Sequence, residues 1–217
     1  MITLPADDPA SIMRAADVLK RGGLVAYPTE SFYAIGADAL NRAAVERVFV
    51  AKGRKPEKPI PVIVGAREDI PLYTRALSPI ALKAVEQLAP GPVTMIFYAS
   101  DRVPDILTGG SGKVGVRVPD HPVASALAAV FGGAVTATSA NISGAPGVSD
   151  PEEVARLFGD ALDLLLDGGV TPGPPPSTLL DLTVEPPRVL RGGRVKKFMI
   201  ERKLGVSLAP FGRSDLA

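Results

Sequence analysis

The sequence predicts an α/β protein in which a single twisted, mixed β-sheet is flanked by helices. Three observations favour this class. Short apolar runs alternate with amphipathic stretches that begin at typical helix caps. No period of roughly 20–50 residues repeats, which excludes solenoids and propellers. The composition, 46% hydrophobic and 22% charged, is that of a globular protein with a packed core.

Helix starts follow from capping residues. Asp8 precedes Pro9, which suits the first helical position, and the apolar residues after it share one face until Gly22 and Gly23. The same combination of a cap and an apolar face recurs four times. These further helices begin at Asn41, Ser78, His121 and Asp150 and end near residues 53, 89, 131 and 158. We interpret His121 as a helix-start cap rather than a catalytic base.

Strands are predicted between these helices, over 24–27, 60–64, 93–98, 114–118, 134–138, 162–166 and 179–182. A Pro/Gly cluster at 171–176 is followed at once by strand-like sequence, so we interpret it as a rigid loop within one domain. The expected organisation is one domain over 1–203 and a loosely held tail over 204–217.

Counts of residue types exclude several classes of function. The chain has 217 residues, no Cys and one His, which excludes disulfides, thiol nucleophiles and Cys-ligated metals, so we expect no metal bound directly by protein ligands. A net charge of +1 is too small for nucleic-acid binding through bulk charge. The uncharged stretch 122–149 is too polar to span a membrane. Because no basic and apolar leader pattern opens the sequence, we expect a cytoplasmic protein.

Three polar segments are candidates for chemistry. Tyr-Pro-Thr-Glu-Ser at 27–31 ends an early strand, where open α/β sheets bind ligands. The segment 52–59 (KGRKPEKP) holds four cations on a proline-stiffened loop, which suits a polyphosphate or a carboxylate. The segment 138–144 (TSANISG) offers hydroxyls, an amide and backbone N–H groups to phosphate oxygens. Each segment also has a purely structural interpretation: a proline-containing turn for 27–31, a solvated surface loop for 52–59, and capping and turn formation for 138–144.

Single polar residues add to this inventory. Arg117 is a charge inside an apolar strand and needs either a structural carboxylate or a substrate carboxylate. Ser177 and Arg191 add a hydroxyl and a cation late in the chain. The whole set consists of cations, hydroxyls and one amide, with no evident pair of carboxylates. Such a site holds reactants in line and stabilises developing charge, as phosphoryl or nucleotidyl transfer requires.

Six segments in order resemble the YrdC-like family of threonylcarbamoyl-AMP synthases, across about residues 10–194. They are GLVAYPTESFYAIG at 23–36, KGRKPEKP at 52–59, PGPVTMIF at 90–97, VGVRVPDHP at 114–122, TSANISG at 138–144 and STLLDLT at 177–183, followed by Arg191. The resemblance implies a YrdC-like fold, a twisted open α/β sheet of the kind found in dsRBD domains, in a short form without an additional C-terminal domain.

The resemblance also implies the reaction. L-Threonine would capture bicarbonate as a carbamate, which would attack the α-phosphate of ATP to give threonylcarbamoyl-AMP and pyrophosphate. Mg²⁺ would accompany ATP. The product would pass to downstream proteins that transfer the threonylcarbamoyl group to tRNA, forming threonylcarbamoyladenosine.

Site roles follow from the resemblance by motif position. Lys52 and Arg54 would be catalytic and, with Lys58, would face the triphosphate. Ser139 and Asn141 would hold the nucleotide, and Ser177 and Arg191 would close the site. The residues that contact threonine or bicarbonate would be Thr29, Ser31, Arg117 and Ser177, whereas Arg191 would belong to the ATP site.

Three positions depart from the family pattern, and two other functions are alternatives to the synthase. Ser31, Ala34 and Gly65 stand where many relatives have Thr, Gly and His, which affects the choice of amino acid. One alternative is a YciO-like nucleotide- or RNA-binding protein of the same superfamily without synthase activity. The other is an RNA-binding module, because the C-terminal stretch 188–203 is basic and would bind RNA weakly and in a salt-dependent manner.

Overall fold

Seven α-helices and eleven strands alternate along residues 1–210, the part of the chain that the structure, a computed structural model, describes. The helices are α1 (Pro9–Lys20), α2 (Arg42–Lys52), α3 (Pro79–Leu88), α4 (Asp105–Thr108), α5 (Pro122–Phe131), α6 (Pro151–Phe158) and α7 (Lys197–Leu204), and a 3-10 helix spans Arg67–Leu72. The strands are β1 (Ile2–Pro5), β2 (Val25–Pro28), β3 (Tyr33–Gly36), β4 (Val62–Ile63), β5 (Val93–Tyr98), β6 (Lys113–Arg117), β7 (Val135–Thr136), β8 (Thr138–Ser139), β9 (Leu164–Asp167), β10 (Thr178–Asp181) and β11 (Arg188–Arg191).

All five predicted helices are confirmed, and side chains cap four of them. Asp8, Asn41, Ser78 and Asp150 each accept a hydrogen bond from a backbone N–H in the first turn, at 2.9–3.3 Å. His121 occupies the cap position of α5, as predicted, but its side chain makes no capping hydrogen bond. Proline at the first helical position therefore starts this helix without help from the imidazole.

The strands form two sheets rather than the single sheet that the sequence predicts. One sheet, here called the A sheet, has the order β1-β9-β2-β3-β8, and the other, the B sheet, has the order β11-β10-β5-β6-β4-β7. Both are mixed: β1 and β2 pair with β9 in parallel, whereas β2 and β3 are antiparallel. The predicted α/β class with twisted, helix-flanked sheets is confirmed.

One segment accounts for the difference in the number of sheets. The predicted strand at 134–138 is divided into β7, which pairs with β4 of the B sheet, and β8, which pairs with β3 of the A sheet. Between them, the Ala137 N–H donates to the Pro61 carbonyl at 2.8 Å, so the chain leaves one ladder for the other within a single residue. The two sheets meet here.

Helices cover both sheets and divide the apolar core. α1 and α5 pack together over the A sheet and enclose a smaller core that includes Ile12, Leu19 and Leu127. The larger core joins residues of both sheets, such as Ile35 and Met95, and extends beneath α3 and α7. Polar residues at the ends of strands from both sheets line one cleft.

The C-terminal region adds elements that the sequence pattern does not predict. β11 pairs with β10, and α7 packs against α3. The predicted division of the domain from the tail at 203/204 stays a prediction, and it falls within α7. After this helix, Leu208 is buried and Ala209 donates to the Pro187 carbonyl at 2.8 Å, so the chain is packed as far as residue 209. Residues 211–217 of the predicted tail lie outside the described residues.

Candidate functional site

A cleft of about 270 Å³ lies where the two sheets meet, and its walls come from both. Seven of the ten predicted site residues line it. They are Thr29, Ser31, Arg54, Arg117, Ser139, Ser177 and Arg191. Lys52, Lys58 and Asn141 are not among the lining residues.

Two hydroxyls of the turn after β2 face the cleft. Thr29 Oγ1 donates to the Phe32 carbonyl at 2.7 Å and accepts from the Ser31 N–H at 3.2 Å. The Ser31 hydroxyl lies 3.4 Å from Thr29 Oγ1. These local bonds fold the segment after Pro28 back on itself, as Thr and Ser do in turns. Both hydroxyls are therefore held in fixed positions at the cleft wall.

Arg117 ends β6 of the B sheet and pairs with the carboxylate of Glu30, which lies in the turn after β2. Its Nη1 contacts Glu30 Oε1, and the two side chains are 7% and 14% exposed. Of the two partners that the sequence leaves open for Arg117, the structural carboxylate is thus present, and it is Glu30. Glu30 Oε2 is buried and has no hydrogen-bond partner within residues 1–210.

A second group of polar side chains lies on neighbouring strands of the B sheet. The Arg191 guanidinium donates from Nη2 to the Ser177 carbonyl at 3.0 Å and to its hydroxyl at 3.3 Å. Ser177 Oγ also lies 3.1 Å from Thr94 Oγ1. Desolvation, and then the charge of Arg117, lowers the pKa of Arg191. The Arg117 and Arg191 guanidinium groups therefore lie in the same cleft, and their charge favours an anionic ligand.

The cation-rich loop divides into one residue at the cleft and others away from it. Arg54 lines the cleft. Its guanidinium donates to the carbonyls of Lys58 and Pro59, at 3.2 and 2.8 Å, and these bonds hold the two ends of the loop together. Burial lowers the pKa of Arg54. The side chain of Lys58 is exposed and does not line the cleft, and its predicted contact with the triphosphate stays a prediction.

The structure does not place Lys52 at the cleft wall, and its predicted contact with the triphosphate stays a prediction. Lys52 is the last residue of α2 and only 1% exposed. Its ammonium donates to the backbone carbonyls of Ser139 and Asn141, the latter at 2.7 Å. A cation in this environment needs polar partners, and the carbonyls of the turn supply them. Burial, and then the charge of Arg54, lowers the pKa of Lys52 to about 7.

Asn141 is also turned away from the cleft. Its amide Nδ2 donates to the carbonyls of Ile142 and Ala145, both at 2.8 Å, and its Oδ1 accepts from the Ser139 hydroxyl. These bonds hold the segment 139–145 in its turn, and the predicted contact of Asn141 with the nucleotide stays a prediction. Ser139 alone of the predicted pair is at the cleft wall.

Sequence reasoning missed Glu30 and Thr94. Glu30 lies within the quoted motif at 27–31, and the need of a lone buried arginine for a carboxylate partner was the available signal. Thr94 lies in the segment 90–97, but a single hydroxyl in an apolar strand carries no signal of its own. Pairing between distant segments, which the sequence does not display, brings both to the site.

Residues 1–210 contain no group of three or more His, Asp or Glu side chains that could hold a metal ion. The cleft contributes cations and hydroxyls, which do not fit a divalent metal. Within the same residues, no helix is long and apolar enough to cross a membrane.

Comparison with known proteins decides the family. Residues 17–193 match the model of the Sua5/YciO/YrdC family, whose description reads telomere recombination. The chain belongs to this family. The resemblance inferred from the six sequence segments is thereby confirmed.

Three relatives of the Sua5/YciO/YrdC family illustrate the similarity. The threonylcarbamoyl-AMP synthase of Thiobacillus denitrificans is 41% identical over 164 residues, covering 76% of this chain and 87% of that protein. The crystal structure of Pyrococcus abyssi Sua5 complexed with L-threonine has a TM-score of 0.90 at 34% identity, covering 96% of this chain. Escherichia coli YciO has a TM-score of 0.80 at 28% identity, covering 89% of this chain and 94% of its own. This chain spans 62% of the length of the Pyrococcus protein.

Proposed function

We propose that this protein is an L-threonylcarbamoyladenylate synthase, a nucleotidyltransferase that condenses L-threonine, bicarbonate and ATP. One observation carries the proposal: seven predicted site residues from separated segments line a single cleft, to which they contribute three guanidinium groups and four hydroxyls. Relatives that carry the synthase name, such as the Thiobacillus protein, support it.

The reaction divides into two bond-forming steps. The deprotonated amine of threonine attacks the carbon of bicarbonate, and loss of water leaves a carbamate. A carbamate oxygen then attacks the α-phosphorus of ATP, and the bond to the β-phosphate oxygen breaks to release pyrophosphate. Both steps move negative charge between oxygens, so fixed cations lower their barriers by electrostatic stabilisation.

The residues divide between the substrates by position. Thr29, Ser31 and Arg117 face the cleft where L-threonine and bicarbonate would bind, and Arg117 would meet a carboxylate. Arg54, Ser139 and Arg191 would contact the ATP phosphates and nucleoside. Ser177 would contact threonine or bicarbonate, and its hydroxyl accepts a hydrogen bond from Arg191 of the ATP group.

Mg²⁺ enters this proposal only as a companion of ATP. The cleft residues offer it no set of carboxylates, so we assign no protein ligand and no step to the ion. When bound to the phosphates, Mg²⁺ neutralises part of their charge. Bicarbonate and L-threonine are likewise substrates, and transfer of the product to tRNA belongs to downstream proteins. Weak RNA binding by the basic C-terminal stretch and a cytoplasmic location stay predictions.

Pyrophosphate release tests the proposal directly. Release from ATP is measured with L-threonine and bicarbonate each omitted in turn, with L-serine replacing threonine in one arm, and threonylcarbamoyl-AMP is identified by mass. We expect release only when threonine and bicarbonate are both present. ATP binding without pyrophosphate release would favour the YciO-like alternative. Binding of RNA without binding of ATP would favour an RNA-binding module.

A variant of the basic loop links the reaction to this cleft. Arg54→Ala is expected to lower kcat/KM for ATP by roughly 100-fold, because one oriented cation at the phosphates is lost. Arg42→Ala is the matched control, since Arg42 lies on α2 with its side chain 66% exposed and paired with Glu46. Equal activity of the two variants would contradict the assignment of Arg54.

A further inference from the structure

Thr94 lines the cleft from a segment to which the proposed reaction gives no role. It is the second residue of β5 and only 4% exposed. Its neighbours Val93 and Met95 point into the larger core, because successive side chains of a strand alternate between faces. The Thr94 hydroxyl therefore lies on the cleft side of an otherwise apolar strand.

Within residues 1–210, the Thr94 hydroxyl has one side-chain partner, and this partner is Ser177. The two oxygens are 3.1 Å apart, which is hydrogen-bond distance. Arg191 donates to the same Ser177 hydroxyl and to the Ser177 carbonyl. Ser177 Oγ is thus held from two sides, by a guanidinium of β11 and by a hydroxyl of β5.

Packing fixes the direction in which the Thr94 hydroxyl points. A Cβ at Gly115, on the adjacent strand β6, would lie 3.1 Å from Thr94 Cγ2 and 3.2 Å from Pro61 Cβ. The Thr94 methyl therefore rests over a position where any side chain larger than that of glycine would crowd it. Because a β-branched side chain is stiff about χ1, placing the methyl there also places the hydroxyl.

We propose that Thr94 is a positioning residue that orients the Ser177 hydroxyl, and through it the Arg191 guanidinium, toward the substrates. This inference rests on the proposed function, which places Ser177 and Arg191 at threonine and ATP. Thr94 itself touches neither substrate in this scheme. Its contribution is to hold the Ser177 hydroxyl and the Arg191 guanidinium in one geometry before the substrates bind.

Removal of the hydroxyl at constant shape tests the inference. Thr94→Val is expected to lower kcat/KM about tenfold, which corresponds to about 1.4 kcal/mol, the size of one net hydrogen bond. Thr94→Ser keeps the hydroxyl and should recover most of this loss. Thr74→Val is the matched control, because Thr74 is 5% exposed and its hydroxyl donates to the Ile70 carbonyl outside the cleft. It should keep wild-type kcat/KM.

A double-mutant cycle separates positioning from a general structural effect. If Thr94 acts through Ser177, Thr94→Val should have no further effect on kcat/KM when Ser177→Ala is already present. Losses that add, or a Thr94→Val variant as active as wild type, would overturn the inference. A wild-type protein that forms no threonylcarbamoyl-AMP would overturn the proposed function and this inference together.

Gly115→Ala provides a second, independent variant. The added methyl pushes Thr94 Cγ2 aside while both hydroxyls remain in the chain. We expect lower kcat/KM, with no further loss when Thr94→Val is combined with it. Full activity of Gly115→Ala with an unchanged response to Thr94→Val would show that the methyl contact does not set the hydroxyl direction.

Discussion

Lys52 illustrates how far residue type alone predicts a role. A lysine beside Gly53 and Arg54 in a basic loop indicates a phosphate ligand, and Arg54 does line the cleft. Whether a side chain at the end of α2 points outward or beneath the neighbouring turn depends on packing with residues almost ninety positions away. The sequence therefore predicts the polar inventory of the site, but not which members face it.

The buried ammonium makes stability depend on pH near neutrality. The pKa of Lys52 is lowered to about 7 in the folded protein, whereas it is about 10.4 in an unfolded chain. Between these values the unfolded state binds more protons, so the free energy of unfolding rises with pH, by at most about 1.4 kcal/mol per pH unit. The Lys52→Met variant should lose this rise. The measurement is the free energy of unfolding in urea of wild type and variant, each at pH values from 7 to 10.

Lys58→Met is the control for this pH dependence, because Lys58 is an exposed lysine of the same loop. Its unfolding free energy should follow the wild-type pH curve. Parallel curves for wild type and Lys52→Met would contradict the lowered pKa.

At the scale of elements, the turn at 139–145 is built as a scaffold for the residues around it. Asn141 satisfies two of its carbonyls, and Lys52 satisfies two more from the end of α2. The Ser143 N–H donates back to the Lys52 carbonyl at 2.8 Å. Helix α2 and this turn are thereby joined, so the basic loop and the Ser139 hydroxyl keep a fixed separation.

Asn141→Asp tests this scaffold. The carboxylate cannot donate, and it would face the Ile142 and Ala145 carbonyls that the amide now satisfies. We expect the free energy of unfolding at pH 7.5 to fall by about 1–3 kcal/mol in urea titrations. The other asparagine offers a control: Asn41 caps α2, where Asp serves equally well, so Asn41→Asp should change it by less than about 0.5 kcal/mol. A similar small change in both variants would rule out the scaffold role.

Element prediction succeeds where the determining interactions are local. Helix caps at Asp8, Asn41, Ser78 and Asp150 act within four residues, and all were predicted. The strands β1, β3 and β11 were not, because segments this short become strands only through the partners that they pair with. α7, with its sequence KFMIERKL, is similarly helical through packing on α3 rather than through a strong apolar pattern.

For the whole molecule, the cleft depends on contacts that join the two sheets. The Glu30–Arg117 pair is one of them, since Glu30 follows β2 of the A sheet and Arg117 ends β6 of the B sheet. The division into two sheets was not predictable, because strand order and the passage at Ala137 are set by pairing rather than by local pattern.

Glu30→Gln should show the strength of this connection. The change leaves the Arg117 charge buried without a counter-charge, which typically costs about 3–5 kcal/mol of unfolding free energy. Glu46→Gln breaks the exposed pair with Arg42 and should cost less than about 1 kcal/mol. Chemical unfolding of both variants at neutral pH provides the measurement. Equal stabilities would mean that the inter-sheet pair contributes no more than a surface one.

The pairing of β1 with β9 has a consequence for synthesis on the ribosome. Ile2 is the partner of Leu164, so the first strand waits while about 160 further residues are translated, roughly 8–30 s at about 5–20 residues per second. β2 also waits, because its second neighbour is the same strand. Until then the nascent A sheet has an open apolar edge, and this is the interval in which a chaperone would be most useful to this protein.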